Sequence, residues 1–181
     1  MARFIHLHTH SHYSLLAALP KVEDLVKAAK ADGAPALALT DNGNFYGAID
    51  FYKECKKAGI KPIIGIDAYV AARSRTDKQS GIDSRRTRMI LLAKTEAGYK
   101  NLIQLITKSY LEGFYYKPRI DKELIQLHKE GIIAVDSAFS GNLTTALQGN
   151  DIAKACEIAT YYKSIFGDDY YIELQRHDGL E

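Results

Sequence analysis

The chain has 181 residues, of which 46% are hydrophobic and 25% charged, ordinary values for one soluble globular domain with its own core. Its 24 basic and 22 acidic residues leave a net charge of +2, so nucleic-acid binding would need a local basic patch. The two cysteines lack the paired spacing of a disulfide or zinc framework, and the sequence has no apolar leader or membrane-length apolar run. We therefore expect a cytoplasmic protein that makes no contact with a membrane.

Four of the six histidines lie within residues 4–14, at every second position. They are His6, His8, His10 and His12. The side-chain period of a strand is two, so an extended segment would present all four on one face. Imidazole is the commonest metal ligand, and two imidazoles two residues apart on a strand can bind one ion. The segment predicts a metal-binding strand or, alternatively, an edge strand with solvated histidines.

Downstream of this segment, apolar strands alternate with amphipathic helices. Helices are predicted over residues 21–32, 45–58, 95–112, 121–130, 142–147 and 151–166, and strands over residues 36–40, 61–72, 89–93, 131–136 and 170–174. Thr95 and Asp121 occupy N-cap positions of their helices. Residues 74–87 predict an exposed loop, and residues 113–119 an aromatic and basic connection. The alternation is typical of an α/β fold with a parallel sheet or barrel, in which helices lie outside.

Polar side chains follow the predicted strands, where the chemistry of such folds takes place. They are His8, His10, Asp41, Asp67, Asp136, Glu173, Arg176 and His177. Because strand ends converge, several polar residues there indicate a site more strongly than one motif does. A closed barrel would need at least one strand after residue 174, so we expect the barrel to be cut short.

Two stretches of the chain are similar to motifs of a known family. Residues 6–16 (HLHTHSHYSLL) and 38–47 (ALTDNGNFYG) resemble the first two motifs of the PHP (polymerase and histidinol phosphatase) domain. Later stretches resemble the version that opens bacterial DNA polymerase III alpha subunits, at residues 61–70, 91–94, 98–102, 140–141 and 171–177. The resemblance spans nearly the whole chain, in order, so residues 1–181 are interpreted as one PHP domain of a longer polymerase subunit.

The resemblance implies a distorted (β/α)7 barrel, here truncated before its last strand or strands. It also implies a cluster of up to three metal ions at the C-terminal mouth, which hydrolyses phosphoesters and in some polymerases acts as a 3'-to-5' proofreading exonuclease. The parent protein would be a DNA-directed DNA polymerase, a nucleotidyltransferase of DNA replication, whose own active site lies in later domains.

Several ligand positions depart from the family pattern. His8 and His10 match the first pair and Asp41 is kept, whereas Asp67 replaces a glutamate. Four further ligands of the family pattern, an aspartate, two histidines and a cysteine, are replaced by Ala17, Asn42, Arg88 and Ala138, and a final Asp-x-His pair of that pattern would lie beyond Glu181. Alanine has no lone pair and arginine does not deprotonate, so Ala17, Ala138 and Arg88 cannot ligate a metal. The sequence predicts a vestigial site with no assigned catalytic residue and no cofactor, or at most one zinc or manganese ion on His8, His10 and Asp67.

Three functions remain open at this point. The first is a metal-depleted scaffold that contacts the remainder of the alpha subunit and a partner such as a separate proofreading exonuclease subunit. The second is an active metal-dependent phosphoesterase, with His6 or His12 standing in for a missing ligand. The third is a contact module for single-stranded DNA, which would use basic and aromatic residues, namely Arg73, Arg75, Lys78, Arg85, Arg86, Arg88, Tyr115, Tyr116, Lys117 and Arg119.

Arg88 has two alternative roles. If Asp41 and Asp67 lie in one cavity, the guanidinium can bridge one or both carboxylates and supply the positive charge of the lost metals. Alternatively, Arg88 belongs to the basic loop and points to solvent.

Overall fold

The computed structural model describes residues 4–175. Their helices are α1 (Val22–Ala31), α2 (Ala48–Ala58), α3 (Glu96–Leu111), α4 (Lys122–Leu127), α5 (Asn142–Gln148) and α6 (Ile152–Phe166). Their strands are β1 (Ala36–Leu39), β2 (Lys61–Ala71), β3 (Arg86–Ala93), β4 (Phe114–Tyr115), β5 (Lys117–Ile120), β6 (Ile132–Asp136) and β7 (Tyr170–Ile172). The helices and strands predicted from residue 21 onward are present, with ends shifted by a few residues. None of these helices has the length and apolar character needed to cross a bilayer.

Two predicted helix caps are confirmed. The side chain of Thr95 accepts a hydrogen bond from the amide of Gly98 at the start of α3. The side chain of Asp121 accepts one from the amide of Leu124 at the start of α4. Each cap satisfies an amide that has no partner within the helix, so the beginnings of both helices follow from local sequence.

The strands form one seven-stranded sheet, in which β2 is the longest strand and has the most neighbours. The order is β4–β5–β2–β3–β6–β7, with β1 beside β2. Residues 61–64 of β2 pair in parallel with β1, and residues 65–71 pair antiparallel with β3. β5 joins the other side of β2 at Tyr69 and Val70. β2 therefore changes neighbours along its length, and Asp67 lies just beyond the change.

The sheet is mixed, so the expectation of an all-parallel sheet is wrong. β3 pairs antiparallel with both β2 and β6. A parallel return normally requires a crossover helix, and residues 72–85 between β2 and β3 form none. Residues 113–119 also differ from the prediction, because β4 and β5 form a hairpin there with Tyr116 at the turn. The fold is mixed α/β, and a truncated seven-stranded barrel stays a prediction.

Two apolar clusters pack the helices against the sheet. The larger includes Met89, Leu102 and Tyr162, which are fully buried and come from β3, α3 and α6. The second contains Val26 of α1 and Phe51 of α2, together with residues of β1. These clusters hold β1, β2 and β3 in place, and those strands position the polar residues described below.

A buried arginine anchors the loop between β2 and β3. Arg119 is 0% exposed, and its guanidinium donates to the backbone carbonyls of Gly113 (3.0 Å), Asp83 (2.7 Å), Arg75 (2.8 Å) and Asp77 (2.8 Å). Three of these four acceptors belong to the loop. A desolvated guanidinium requires acceptors for its donors, so the conformation of the loop is coupled to Arg119. The loop lies on the surface, as predicted, but its backbone is tied to the sheet.

Replacing Arg119 by methionine should release this loop. Arg119→Met removes the donors to four carbonyls, so the free energy of unfolding should fall by about 3 kcal/mol or more. Urea unfolding measures that loss, and limited proteolysis with subtilisin measures opening of the loop. Arg85→Met, at an exposed arginine of the same loop, is the matched control and should stay within about 0.5 kcal/mol of the wild type. Equal effects of the two substitutions would show that Arg119 does not anchor the loop.

Candidate functional site

The histidine segment runs beside β1 without forming a regular strand. The amide of Ala38 donates to the carbonyl of His6 (3.0 Å), and the amide of Thr40 donates to that of Thr9 (2.8 Å). These acceptors are three residues apart, so the alternation of a strand is broken between them. The expectation of four histidines on one face is therefore wrong.

The four histidines separate into two pairs. The ring of His6 packs edge-on against Phe4, with centroids 4.8 Å apart, and the ring of His12 packs on Tyr13 at 4.2 Å. His8 and His10 instead turn toward Asp67 of β2. The outer histidines are therefore placed to pack against aromatic rings, and the inner pair forms the candidate site.

His8, His10 and Asp67 present three donor atoms at nearly equal separations. His8 Nε2 lies 3.1 Å from His10 Nε2 and 3.2 Å from Asp67 Oδ2, and His10 Nε2 lies 3.3 Å from the same oxygen. Donors of a tetrahedral zinc ion, with bonds of about 2.0–2.1 Å, are roughly 3.3 Å apart. The donor set thus fits one ion. Among residues 4–175 no other group of three such side chains meets in this way.

Glu173 orients His8 from the opposite side of the ring. Its Oε1 accepts a hydrogen bond from His8 Nδ1 at 2.7 Å, and its Oε2 accepts one from the amide of Ala138 at 2.9 Å. A carboxylate behind a histidine holds the ring in place and directs the second nitrogen, as around many metal ions. Glu173 was noted as a strand-end residue, but the sequence did not indicate this role. Arg176 and His177, noted with it, lie outside the described residues.

Arg88 contacts the same carboxylate from β3. Its Nε donates to Asp67 Oδ1 at 2.9 Å, and its Nη2 donates to Asp67 Oδ2 and to Asn42 Oδ1. The Asp67 side chain is 2% exposed and that of Arg88 is 21% exposed. The predicted bridge from Arg88 to Asp67 is present, and the amide oxygen of Asn42 is a further acceptor for the arginine.

Asp41 takes no part in this bridge. It is buried, and its carboxylate accepts hydrogen bonds from the amide of Ser11 (2.7 Å), the hydroxyl of Ser11 (2.8 Å) and the hydroxyl of Ser14 (2.6 Å). Its backbone carbonyl accepts from the amide of Asp67. Asp41 therefore braces the N-terminal segment against β2, and Arg88 balances the charge of Asp67 alone.

Buried groups of opposite charge face one another at this site. Burial opposes the charged form of His8, but the carboxylates of Asp67 and Glu173 outweigh burial and raise the pKa of His8 to about 9. Burial also opposes ionisation of Asp67, yet hydrogen bonds from His10, His8 and Arg88 hold the pKa of that carboxyl well below its ordinary value. Asp67 is thus a buried carboxylate whose partners include the cations His8 and Arg88, and a metal ion would have to replace the proton on His8 and the contact of Arg88.

Asp136, at the end of β6, is a second buried carboxyl with different surroundings. It is 1% exposed, and it accepts from the amide of Leu143 and the hydroxyl of Tyr170, both at 3.3 Å. Burial raises the pKa of Asp136 to about 6, because these two donors offset the loss of hydration only in part. It lies outside the group formed by His8, His10 and Asp67.

The bridge between Arg88 and Asp67 can be measured by a double-mutant cycle. Arg88→Ala should lower the free energy of unfolding by about 2–3 kcal/mol, because Asp67 keeps its two histidines but loses its permanent cation. Arg88→Ala combined with Asp67→Ala should show a coupling of at least about 1 kcal/mol in denaturant melts. Losses that add within about 0.5 kcal/mol would mean that the two side chains do not interact energetically.

The buried carboxyl of Asp136 should make stability depend on pH. Its folded pKa of about 6 lies above the ordinary 3.8, so its contribution favours the folded state below pH 4 and is lost as the pH rises through 6. The free energy of unfolding of the wild type, relative to Asp136→Asn, should therefore fall by about 2–3 kcal/mol between pH 4 and pH 7. Urea melts at pH 4, 5, 6 and 7 measure the difference, and a constant difference would contradict the assignment.

Comparisons with known proteins agree on one family. The family model described as "PHP domain" matches residues 6–177. The chain is 49% identical to the DNA polymerase III subunit alpha of Borreliella burgdorferi, over 97% of this chain and 15% of that protein. It is 48% identical to the subunit of the same name from Treponema pallidum, over 100% of this chain and 16% of that protein. The chain thus spans about one sixth of the length of these relatives.

A solved amidohydrolase from Chromobacterium violaceum aligns with 93% of this chain and 84% of its own, at 13% identity and a TM-score of 0.46. That likeness is too low to add to the sequence comparison. The family match covers nearly all of the chain, and the two relatives align with 97% and 100% of it. The chain belongs to the PHP domain family.

Proposed function

We propose that this chain is the PHP domain of a bacterial DNA polymerase III alpha subunit and supports DNA replication there as a structural, partner-contacting unit rather than as a phosphoesterase. Relatives of that name align with almost the entire chain, and the matched region is a small part of each of them. The observation that carries the structural role is the contact of Arg88 with both carboxylate oxygens of Asp67.

The guanidinium of Arg88 provides a fixed positive charge where a metal ion would otherwise balance Asp67. A divalent ion on Asp67 would have to displace this two-pronged contact and would meet repulsion from the arginine. Because arginine stays protonated, the charge of Asp67 remains balanced at any metal concentration. Ala17 and Ala138 offer no ligand atom, and the amide oxygen of Asn42 already accepts a hydrogen bond from Arg88, which further favours a site without a metal cluster.

The partner we propose is the remainder of the alpha subunit, with a separate proofreading exonuclease subunit as a further partner. Three leucines of the loop before α1 support such a contact, since Leu15, Leu16 and Leu19 are 80%, 109% and 92% exposed. Leu16 also has a φ of 63°, an uncommon conformation for a leucine. Exposed leucines close together are typical of surfaces that another polypeptide covers.

A second candidate function is that of a phosphoesterase with one ion. The near-equal separations of the donor atoms of His8, His10 and Asp67 favour it, as does the orientation of His8 by Glu173. A zinc or manganese ion bound there would activate water and stabilise charge on a phosphoryl oxygen. The chain itself would contribute the imidazole nitrogens, the carboxylate of Asp67 and the Glu173 carboxylate that fixes the ring of His8.

Metal content and hydrolysis separate the two functions. The chain is purified without a histidine tag and dialysed against zinc or manganese. It should then hold less than one ion per molecule, as measured by inductively coupled plasma mass spectrometry. It should hydrolyse bis(p-nitrophenyl) phosphate no faster than Asp67→Ala does. One ion per chain, with a turnover that His10→Ala abolishes, would overturn the structural proposal and support the second candidate. Two or more ions would contradict both.

Restoring ligand chemistry should increase metal binding. The combined substitution Ala17→Asp, Asn42→His, Asp67→Glu and Arg88→His replaces four departures from the family pattern. Its zinc affinity should exceed that of the wild type but stay below that of a complete family site, because the cysteine and the final Asp-x-His pair of the pattern are still missing. Arg85→His, at an exposed loop position, is the control for a histidine added outside the site. Equal zinc affinities in the wild type and the restored variant would show that Arg88 and its neighbours do not exclude the ion.

A further inference from the structure

The basic residues near the loop between β2 and β3 fall into two groups. In the first group every guanidinium is engaged by other residues. Arg73 pairs with Asp83 at 2.6 Å, Arg75 pairs with Asp121 at 3.0 Å, and Arg119 is buried among carbonyls. Because their charges or donors are satisfied internally, these three residues are not available to an external ligand. The sequence-based hypothesis of a wide basic patch is therefore too broad.

The second group surrounds one aromatic ring. Arg88 Cζ, Arg86 Cζ and Lys117 Nζ lie 4.9, 5.5 and 5.8 Å from the centroid of Tyr69. The sheet register explains this arrangement, because Tyr69 of β2 pairs with Arg88 of β3 on one side and β5 adjoins it on the other. Arg86 is two residues from Arg88 and shares its face of the sheet. Two strands, β3 and β5, thus bring three cations to the aromatic ring that β2 carries.

These cations carry more positive charge than their neighbours balance. Arg88 is paired with Asp67, and the guanidinium of Arg86 donates to the carbonyl of Ser84 at 2.8 Å. Within residues 4–175, no carboxylate oxygen lies within 4.0 Å of the charged atoms of Arg86 or Lys117, and both residues are exposed. Each charged head lies 4.9 to 5.8 Å from the centroid of Tyr69, so no two are more than about 11 Å apart, close to the screening length of about 8 Å at physiological salt. They therefore repel one another, and a bound anion would relieve that repulsion.

We infer that Arg86 and Lys117, which both lie against the ring of Tyr69 next to the Arg88–Asp67 pair, form an anion site that binds phosphate groups, as carried by the backbone of a single-stranded nucleic acid. Guanidinium groups match phosphate oxygens with two donors, and an ammonium adds a point charge. The hairpin of β4 and β5 presents Phe114 and Tyr116, 50% and 67% exposed, beside Lys117. Exposed aromatic rings next to a cationic track are the usual platform for unpaired bases. This site requires no metal and is independent of the proposed scaffold role.

The test uses the 181-residue chain and two probes. The first is fluorescein-labelled oligothymidylate, followed by anisotropy over a series of salt concentrations. The second is inorganic phosphate, followed by the thermal midpoint at constant ionic strength. The test variant combines Arg86→Ser with Lys117→Ser. It removes the two cations that have no carboxylate partner and leaves the candidate metal ligands and Arg88 intact. Circular dichroism of each variant establishes that it is folded.

The control is Lys61→Ser combined with Lys129→Ser. Both lysines are exposed. Lys61 begins β2 and Lys129 lies just before β6, so both are at the end of the sheet opposite to Arg86. The control removes the same charge, so a general electrostatic effect would appear equally in both double variants.

Oligothymidylate should bind the wild type, and the Arg86 and Lys117 variant should bind at least about tenfold more weakly. The slope of log affinity against log salt should become shallower by about 1.4, since each lost phosphate contact on a single strand accounts for about 0.7. The control should change affinity by less than about threefold.

Two outcomes support the site and one overturns it. Loss of oligonucleotide binding in the test variant alone identifies a nucleic-acid backbone as the source of phosphate. A thermal midpoint that inorganic phosphate raises in the wild type but not in the test variant, without a change in oligonucleotide binding, identifies a free phosphate. If neither probe distinguishes the test variant from the control, the cations around Tyr69 do not form an anion site.

Discussion

The need to stabilise one buried carboxylate organises this structure. Asp67 lies in the middle of β2 with a side chain that is 2% exposed, and its pKa is held low, so it is charged when folded. An isolated charge in such a position costs several kcal/mol, of the order that would unfold a small domain. His8, His10 and Arg88 come from two different segments to balance it, so this one group connects the N-terminal segment, β2 and β3.

A second layer of contacts holds these partners in place. Glu173, which follows β7, accepts from His8 and from the amide of Ala138, so it joins the N-terminal segment to the far edge of the sheet. Asp41 holds Ser11 and Ser14 while its backbone bonds to Asp67. Each of these acidic groups satisfies donors that would otherwise be buried without partners. The geometry around Asp67 is therefore rigidly supported, whether or not an ion ever occupies it.

Arg88 connects the two proposals made for this protein. One edge of its guanidinium is committed to Asp67, and its carbon Cζ lies over the ring of Tyr69 beside Arg86 and Lys117. In the family pattern that the sequence resembles, position 88 holds a metal ligand, whereas here it holds an arginine next to the two cations of the proposed anion site. A family site that would attract phosphate through metal ions is thus converted, in our proposal, into a surface that attracts phosphate through side chains.

Much of this protein could be read from the sequence by itself. The alternation of apolar strands and amphipathic helices, the caps at Thr95 and Asp121, and the family were all determined by local pattern and motif, because these signals act over a few residues. The meeting of His8, His10 and Asp67 was also predicted, from the family motifs and from the expected convergence of strand ends, but in the structure Asp67 lies within β2, just beyond its pairing with β1.

Tertiary structure decided what depends on distant segments. The antiparallel course of β3 and the hairpin at Tyr116 arise from long-range pairing, which local periodicity does not encode. Arg88 was predicted to face either Asp67 or solvent, and only the register of β2 with β3 places it against the carboxylate. From the sequence, Arg119 was a candidate DNA contact on the surface. It is buried instead, because the folded loop supplies the carbonyls that satisfy its guanidinium.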